Sequence, residues 1–427
     1  MIVNTRFNRF KIILLLMVAA VFLSNCGLYD LKKEVAEFET VYGFVGKIID
    51  HSYHKGSVIV ILYSDKDDKK KIVEYVLPED TGHFSFMVTE GIYYLVAFED
   101  LNNNFTYDDG EMTGYFGKPD PIEVRVEQMA SSGSKSIKGL NIQLTRTDGF
   151  LSGFPKSVRD KKFKGESFAK FGTVANLDDK NFAQKNGTTG YWKPLTFLKN
   201  FGVGVYFAQP YDADKIPILF VHGATGTPFG WKKIVNEIDL NQYQPWFYYY
   251  PSGLRLDANA NVLNYIIKKL HNKYRFDRLY VTAHSMGGLV SRSFIMKNVY
   301  EDEQDYIKLF VSISTPWNGH RLSEKGVKQS PAVIPSWHDM VPDSEFIKSI
   351  YKQKWPSDLK FYLFFSFRGD CKLMLANNDG TVELSSELDY RAQADAEGMV
   401  GFDEEHEGIL YSQKFFDYYN QILTSVR

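Results

Sequence analysis

The chain has only two cysteines, Cys26 and Cys371, in 427 residues. That excludes a disulfide scaffold, so stability must come from core packing. An excess of one charge is also lacking: 50 Lys and Arg stand against 52 Asp and Glu, a formal net charge of −2. Nucleic-acid binding needs a basic patch or stripe. The local runs Lys69–Lys71 and Arg159–Lys164 are short and read as solvated loops. Beyond the N-terminus no apolar stretch is long enough to span a bilayer, and no transmembrane helix is predicted. There is no internal repeat. Aromatics, by contrast, are abundant at 15%, which favours strands and apolar pockets. The length predicts two or three domains.

At the N-terminus, Arg6, Arg9 and Lys11 precede the uninterrupted apolar stretch Ile12–Leu23. A basic flank and a short apolar run are the pattern of a secretory signal peptide. Leu23-Ser24-Asn25-Cys26-Gly27 follows. This segment resembles the lipobox of bacterial lipoproteins, with Asn25 where a small residue usually stands. The resemblance implies a chain exported to the bacterial cell envelope and held on a membrane by a lipid on Cys26. The plain alternative is a signal peptide with an incidental cysteine. The expected layout starts with a signal peptide over 1–25 and a lipidated tether over 26–40.

Residues 41–146 read as all-β. Tyr42–Ile49, Ser57–Tyr63, Lys71–Leu77, His83–Val88, Gly91–Phe98, Pro121–Val126 and Leu140–Leu144 are short, β-rich and separated by turn residues. Such spacing predicts a small antiparallel sandwich. It resembles the transthyretin-like or regulatory sandwiches appended to secreted enzymes. Within it, Asp100, Asn102, Asn104, Asp108 and Glu111 supply oxygens in the register of an EF-hand calcium loop. Phe105 stands where such a loop wants Gly. Two readings stand: a structural calcium site, or an Asx-rich hairpin turn. Residues 147–200 are Gly-, Lys- and Asn-rich without clear period, and read as linker and lead-in.

From 201 to 427 the pattern changes. Apolar strands at Ile216–Val221, Trp246–Tyr250, Leu279–Ala283, Ile307–Ser314 and Phe361–Phe367 alternate with helical periods at Trp231–Ile238, Asp257–His271 and Gly287–Lys297. That alternation predicts βαβ units, hence an α/β fold with a mostly parallel sheet covered on both faces.

Four segments in this half carry chemistry. Ala283-His284-Ser285-Met286-Gly287 lies between a strand and a helix, where a sharp turn with small flanks would expose Ser285. His222-Gly223-Ala224-Thr225-Gly226 ends the strand Ile216–Val221. Late in the chain come Asn377-Asn378-Asp379-Gly380 and Glu404-Glu405-His406-Glu407-Gly408. Together, over roughly 200–427, these motifs resemble the lipase and esterase branch of the α/β-hydrolase superfamily, including relatives of the inositol deacylases that trim lipid anchors.

The resemblance implies Ser285 as nucleophile, with the backbone amides of Ala224 and Met286 as oxyanion donors. His222 and Gly223 would support the oxyanion loop. Triad order in this fold is Ser, acid, His. His406 is the histidine after the last apolar strand, so the base falls on it. The acid falls on Asp379, with Asp370 as the alternative. The expected activity is hydrolysis of carboxylic esters, lipid or acyl, through an acyl-Ser285 intermediate and with no cofactor. Two rivals are acyl transfer by the same triad and a non-catalytic surface lipoprotein that binds partners through its sandwich. The segment 316–359 reads either as a lid or as an ordinary cap on the sheet.

Overall fold

The computed structural model describes residues 30–37, 40–49, 54–66, 69–78, 82–117, 119–125, 136–145, 149–160, 169–369 and 376–426. The expected signal peptide, Cys26, Cys371 and Asp370 lie outside the described residues. No described helix is long and apolar enough to cross a membrane.

The N-terminal unit contains β1 (Tyr42–Ile49), β2 (Ser57–Lys66), β3 (Lys69–Val76), β4 (His83–Val88), β5 (Gly91–Asp100), β6 (Thr113–Tyr115), β7 (Ile122–Val124), β8 (Ser136–Lys138) and β9 (Ile142–Gln143). One sheet runs β4-β1-β8, with β9 also on β1; the other runs β3-β2-β5-β6, with β7 on β5. Alternate residues of both sheets, among them Phe44, Val60, Phe84 and Leu95, meet in one shared core, as period-2 strands packed face to face require. The expected all-antiparallel pairing needs correction: β8 and β9 run parallel to β1. Alternating hydrophobicity specifies which face is buried but not strand direction, so the pattern could not reveal this.

The second unit is an eight-stranded sheet made of β10 (Ala169–Val174), β11 (Val203–Phe207), β12 (Ile216–Val221), β13 (Tyr243–Tyr249), β14 (Leu279–His284), β15 (Ile307–Ile313), β16 (Lys360–Ser366) and β17 (Gly398–Phe402). Its order is β10-β11-β13-β12-β14-β15-β16-β17. Every neighbouring pair is parallel except β11 with β13. The helices Leu256–Tyr274 and Met286–Tyr300 bury their apolar residues on one face. The helices Lys232–Glu237 and Gln413–Ser425 cover the other. Strands covered on both faces must be apolar throughout, which is why β12 and β14 read as continuous runs.

The sheet begins at 169, not at 201. The stretch expected to be linker supplies the edge strand β10 and the helices Gln184–Trp192 and Pro194–Phe201. Gly172 lies at φ +88° where the β10 register shifts. Lys170 and Gly172 break the alternation that would have marked the strand.

The segment after β15 holds three short helices, Arg321–Gln329, Pro335–Met340 and Glu345–Ser349. Ser344 caps the last by accepting from the Ile347 amide at 3.2 Å. Trp317, Met340, Phe346, Ile347 and Ile350 join the same core as the sheet. Arg292, fully buried on the helix Met286–Tyr300, donates to the Ile350 carbonyl at 2.9 Å and lies 4.1 Å from the Tyr351 ring centre. These contacts are those of a cap packed on the sheet.

Residues 30–37 are helical and dock on this second unit. Leu31 is buried against Ala332 and Ile334. Glu34 accepts from the amides of Leu195 and Thr196, both at 3.0 Å. These are otherwise unpaired donors in the first turn of Pro194–Phe201, where a carboxylate is favoured. Asp30 pairs with Lys193 at 2.7 Å and Glu37 with Lys199 at 2.5 Å.

Candidate active site

Ser285 sits between β14 and the helix Met286–Tyr300 with φ 53° and ψ −132°. A non-glycine residue there costs on the order of 1–3 kcal/mol, so its surroundings must hold it. The Ser285 amide donates to the Ile313 carbonyl at 2.8 Å. A Cβ on Gly287 would lie 2.4 Å from the Val221 carbonyl oxygen, and one on Gly288 2.0 Å from Thr315 Oγ1. Only glycines let the helix approach the strand ends this closely.

Gly223 faces the same serine. A Cβ there would lie 2.8 Å from Ser285 Cβ and 3.3 Å from Ser285 Oγ. The amides of Ala224 and Met286 accompany it, and neither bonds to another described residue. Two free amides beside a serine hydroxyl are the donors that a tetrahedral oxyanion requires. The loop is fixed from behind. The Thr225 amide donates to Ser252 Oγ at 3.2 Å, and the helix Gln184–Trp192 packs Gly187 onto the Thr225 carbonyl.

His222 is buried and stacked on Tyr250, with ring centres 4.3 Å apart. Its Nδ1 bonds the Gly223 carbonyl at 2.8 Å, and the Tyr250 hydroxyl donates to the His222 carbonyl at 2.6 Å. Burial pushes its imidazole down to about 4, so the ring is neutral. It braces the loop. His284 points the other way, and its Nε2 bonds the His406 carbonyl at 2.8 Å. Burial, then the neighbouring His406, bring it down to about 3. It ties the turn holding Ser285 to the loop holding His406.

His406 follows β17, and Asp379 follows β16. His406 Nδ1 donates to Asp379 Oδ2 at 2.5 Å, and the His406 amide donates to the Asp379 carbonyl at 2.9 Å. Asp379 Oδ1 accepts from the amides of Thr381 at 2.9 Å and Val382 at 2.7 Å. Burial alone would raise this carboxyl. The bond from His406 and the Val382 amide outweigh burial and hold it below its ordinary value. His320 Nε2 bonds the Thr381 carbonyl at 2.6 Å and steadies the turn. No hydrogen bond joins Ser285 Oγ to His406 Nε2 in this state. Such contacts are often long before substrate binds.

Sequence reasoning missed Glu387, which ends the short helix Leu384–Glu387 and is completely buried. One of its carboxylate oxygens, an Asp379 oxygen and a His406 ring nitrogen lie within 4.8 Å of one another. A glutamate in Val382-Glu383-Leu384-Ser385-Ser386-Glu387 carries no signature of this place.

The five residues of the candidate calcium loop come together around the β5 exit, far from Ser285 in sequence. Asp100 accepts from the amides of Asn104 at 3.1 Å and Phe105 at 2.8 Å. Glu111 accepts from Leu101 at 2.8 Å and Asp108 at 2.9 Å. The Asn102 and Asn104 side-chain amides both donate to Asp108 Oδ2 at 2.7 Å. These are the bonds of an Asx-rich turn.

Residues 254–391 match the model of a family described as alpha/beta hydrolase of unknown function. With the strand order above, this gives the second unit an α/β-hydrolase fold. Among solved structures, the product of the gene lin2722 from Listeria innocua is 16% identical, covers 50% of this chain and 96% of its own, and has a TM-score of 0.38. Bacillus licheniformis lipase BlEst2 in mature form is 17% identical over 51% of this chain and 97% of its own, with a TM-score of 0.42. Aspergillus fumigatus lipase B is 16% identical over 52% and 55%, with a TM-score of 0.39. No curated protein matches the chain.

Proposed function

We propose that this chain is a serine hydrolase of carboxylic esters. The observation that carries the reading is the juxtaposition of Ser285, on its positive-φ turn, with two unengaged amides and a buried Asp379–His406 pair. His406 Nε2 takes the Ser285 proton as Oγ attacks the ester carbonyl. The amides of Ala224 and Met286 receive the oxyanion. Collapse expels the alcohol with the proton from His406, leaving acyl-Ser285. Water, deprotonated by His406, then releases the acid. Asp379 keeps the imidazole in the tautomer with Nδ1 protonated and stabilises the imidazolium. No metal is needed for this sequence.

Lipid or acyl esters are the proposed substrates, and a lipid on Cys26 the proposed anchor. The lipobox-like Leu23–Gly27 supports the anchor, and the tether helix bears on where that anchor would sit. That helix packs on Ile334, and the neighbouring Ser336 amide bonds the Gly253 carbonyl at 3.0 Å, one residue from the Ser252 that fixes the oxyanion loop. The anchor would therefore leave the chain on the catalytic face. The N-terminal unit is read as an appended β-sandwich domain, and its Asp100–Glu111 loop as a structural calcium site or, as its internal hydrogen bonds favour, a self-satisfied Asx-rich turn.

Activity on p-nitrophenyl esters of increasing acyl length, with fluorophosphonate labelling, tests the reaction. Ser285→Ala should abolish both; an Ala variant that keeps them removes Ser285 as nucleophile. Products formed with an added alcohol acceptor separate hydrolysis from acyl transfer. Cys26→Ser should release the protein from membranes.

A further inference from the structure

Glu387 is fully buried, yet among the described residues no Lys or Arg pairs with it. Its Oε2 accepts from the Ser366 amide at 3.2 Å, while its Oε1 is buried without a hydrogen-bond partner. An ionised carboxylate accepts bonds only, and burying one with an oxygen unpaired is costly. Beside it stands Asp379. That carboxylate has about four acceptor sites, and three are taken by Thr381, Val382 and His406. One acceptor therefore lies free on a carboxylate that has an oxygen within 4.8 Å of a Glu387 oxygen. Two buried carboxylates this close cannot both ionise at neutral pH, and the one with fewer donors takes the proton. Asp379 has three donors, while Glu387 has the Ser366 amide and the neighbouring Ser314 hydroxyl.

We propose that Glu387 is a positioning residue that carries a proton on Oε1 and donates it to Asp379, holding that carboxylate toward His406. The proposal rests on the triad reading above. Burial, then the Asp379 charge, push Glu387 well above the ordinary carboxylate range, in the same direction as the geometry. The floor beneath is polar and neutral. Ser314 and Ser366, at the ends of β15 and β16, bond each other through their hydroxyls at 2.7 Å. The titratable groups that face Glu387 are Asp379 and His406. A neutral donor here orients Asp379 without adding a second negative charge.

The experiment measures kcat/KM for a p-nitrophenyl ester from pH 5 to pH 10 in the full chain and in Glu387→Gln and Glu387→Ala. Thermal midpoints serve as a folding control. A glutamine amide donates to Asp379 and accepts from Ser366 as a protonated glutamate does. Glu387→Gln should stay within about threefold of the parent. Glu387→Ala, which leaves the acceptor unpaired, should lose about ten- to a hundredfold. The parent should lose activity at the alkaline end as Glu387 ionises beside Asp379, and the Gln variant should not. A Gln variant that falls as far as Ala, or keeps the same alkaline loss, overturns the proposal. Should Ala fail to fold, the Gln profile alone decides. A Ser285→Ala protein that still turns over ester defeats the triad reading instead, so the two failures are distinguishable.

Discussion

The two halves of the proposed catalytic centre are held by different physics. On the proposed nucleophile side, Gly287 and Gly288, next in the chain, and Gly223, at the end of β12, leave room for close approach, and Ser285 is fixed by steric closeness. On the acid–base side, Asp379 and Glu387 come from the segment between β16 and β17 and His406 from the loop after β17, and buried hydrogen bonds hold them together. The first half should therefore fail through displaced atoms and the second through displaced charge.

The largest effect should come from Ser285→Ala, which lowers kcat by about a millionfold with the thermal midpoint unchanged. Asp379→Asn should cost about ten-thousandfold in kcat by favouring the wrong imidazole tautomer; stopped assays at saturating ester would show it. Gly223→Ala puts a methyl against Ser285 and the oxyanion position, and should cost about a hundred- to a thousandfold in kcat. If Asp379→Asn were the milder of these two, the charge-based account of that half would break.

Acid should loosen the two halves in sequence. His222 and His284 sit near 4 and 3 when folded, below the ordinary 6.5. A depressed histidine leaves the unfolded chain binding more protons, so its contribution is complete above about 6.5 and is lost as pH falls toward 4. The loss is on the order of a few kcal/mol for each ring. Asp379, held below its ordinary value, contributes above about 4 and is lost only further down. Thermal midpoints between pH 8 and pH 3 should fall first through the histidine window. The smallest effect concerns the N-terminal unit: calcium should raise its midpoint by a few degrees over chelator without changing ester turnover. No shift would leave the Asp100–Glu111 loop as a self-satisfied turn.

This division also explains what was legible in the sequence. The turn around Ser285 is local, so a strand, five residues and a helix suffice to place it. Chain order points to His406 and leaves Asp379 and Asp370 as candidates for the acid. Glu387 is invisible because its burial depends on a turn of the chain that brings it under Asp379, and nothing in its neighbours says so. The edge strand β10 was hidden by Lys170 and Gly172, and the helices of 184–201 by Asn186, Gly187 and Gly190. Those glycines serve tertiary contacts: Gly187 meets Thr225, and Gly190 meets Phe197. Parallel pairing of β8 and β9 with β1 has no periodic signal at all.

The docked helix 30–37 has a further consequence. Three residues separate Cys26 from Asp30, and an extended chain covers at most about 3.6 Å per residue. In the proposed anchored state the catalytic unit thus rides within roughly two helix diameters of the bilayer, and the sandwich is not the spacer. Encounter with a lipid ester becomes a search in two dimensions. Its rate is then governed by how densely that ester populates the same leaflet, as for any tethered binder whose effective concentration is set by its linker.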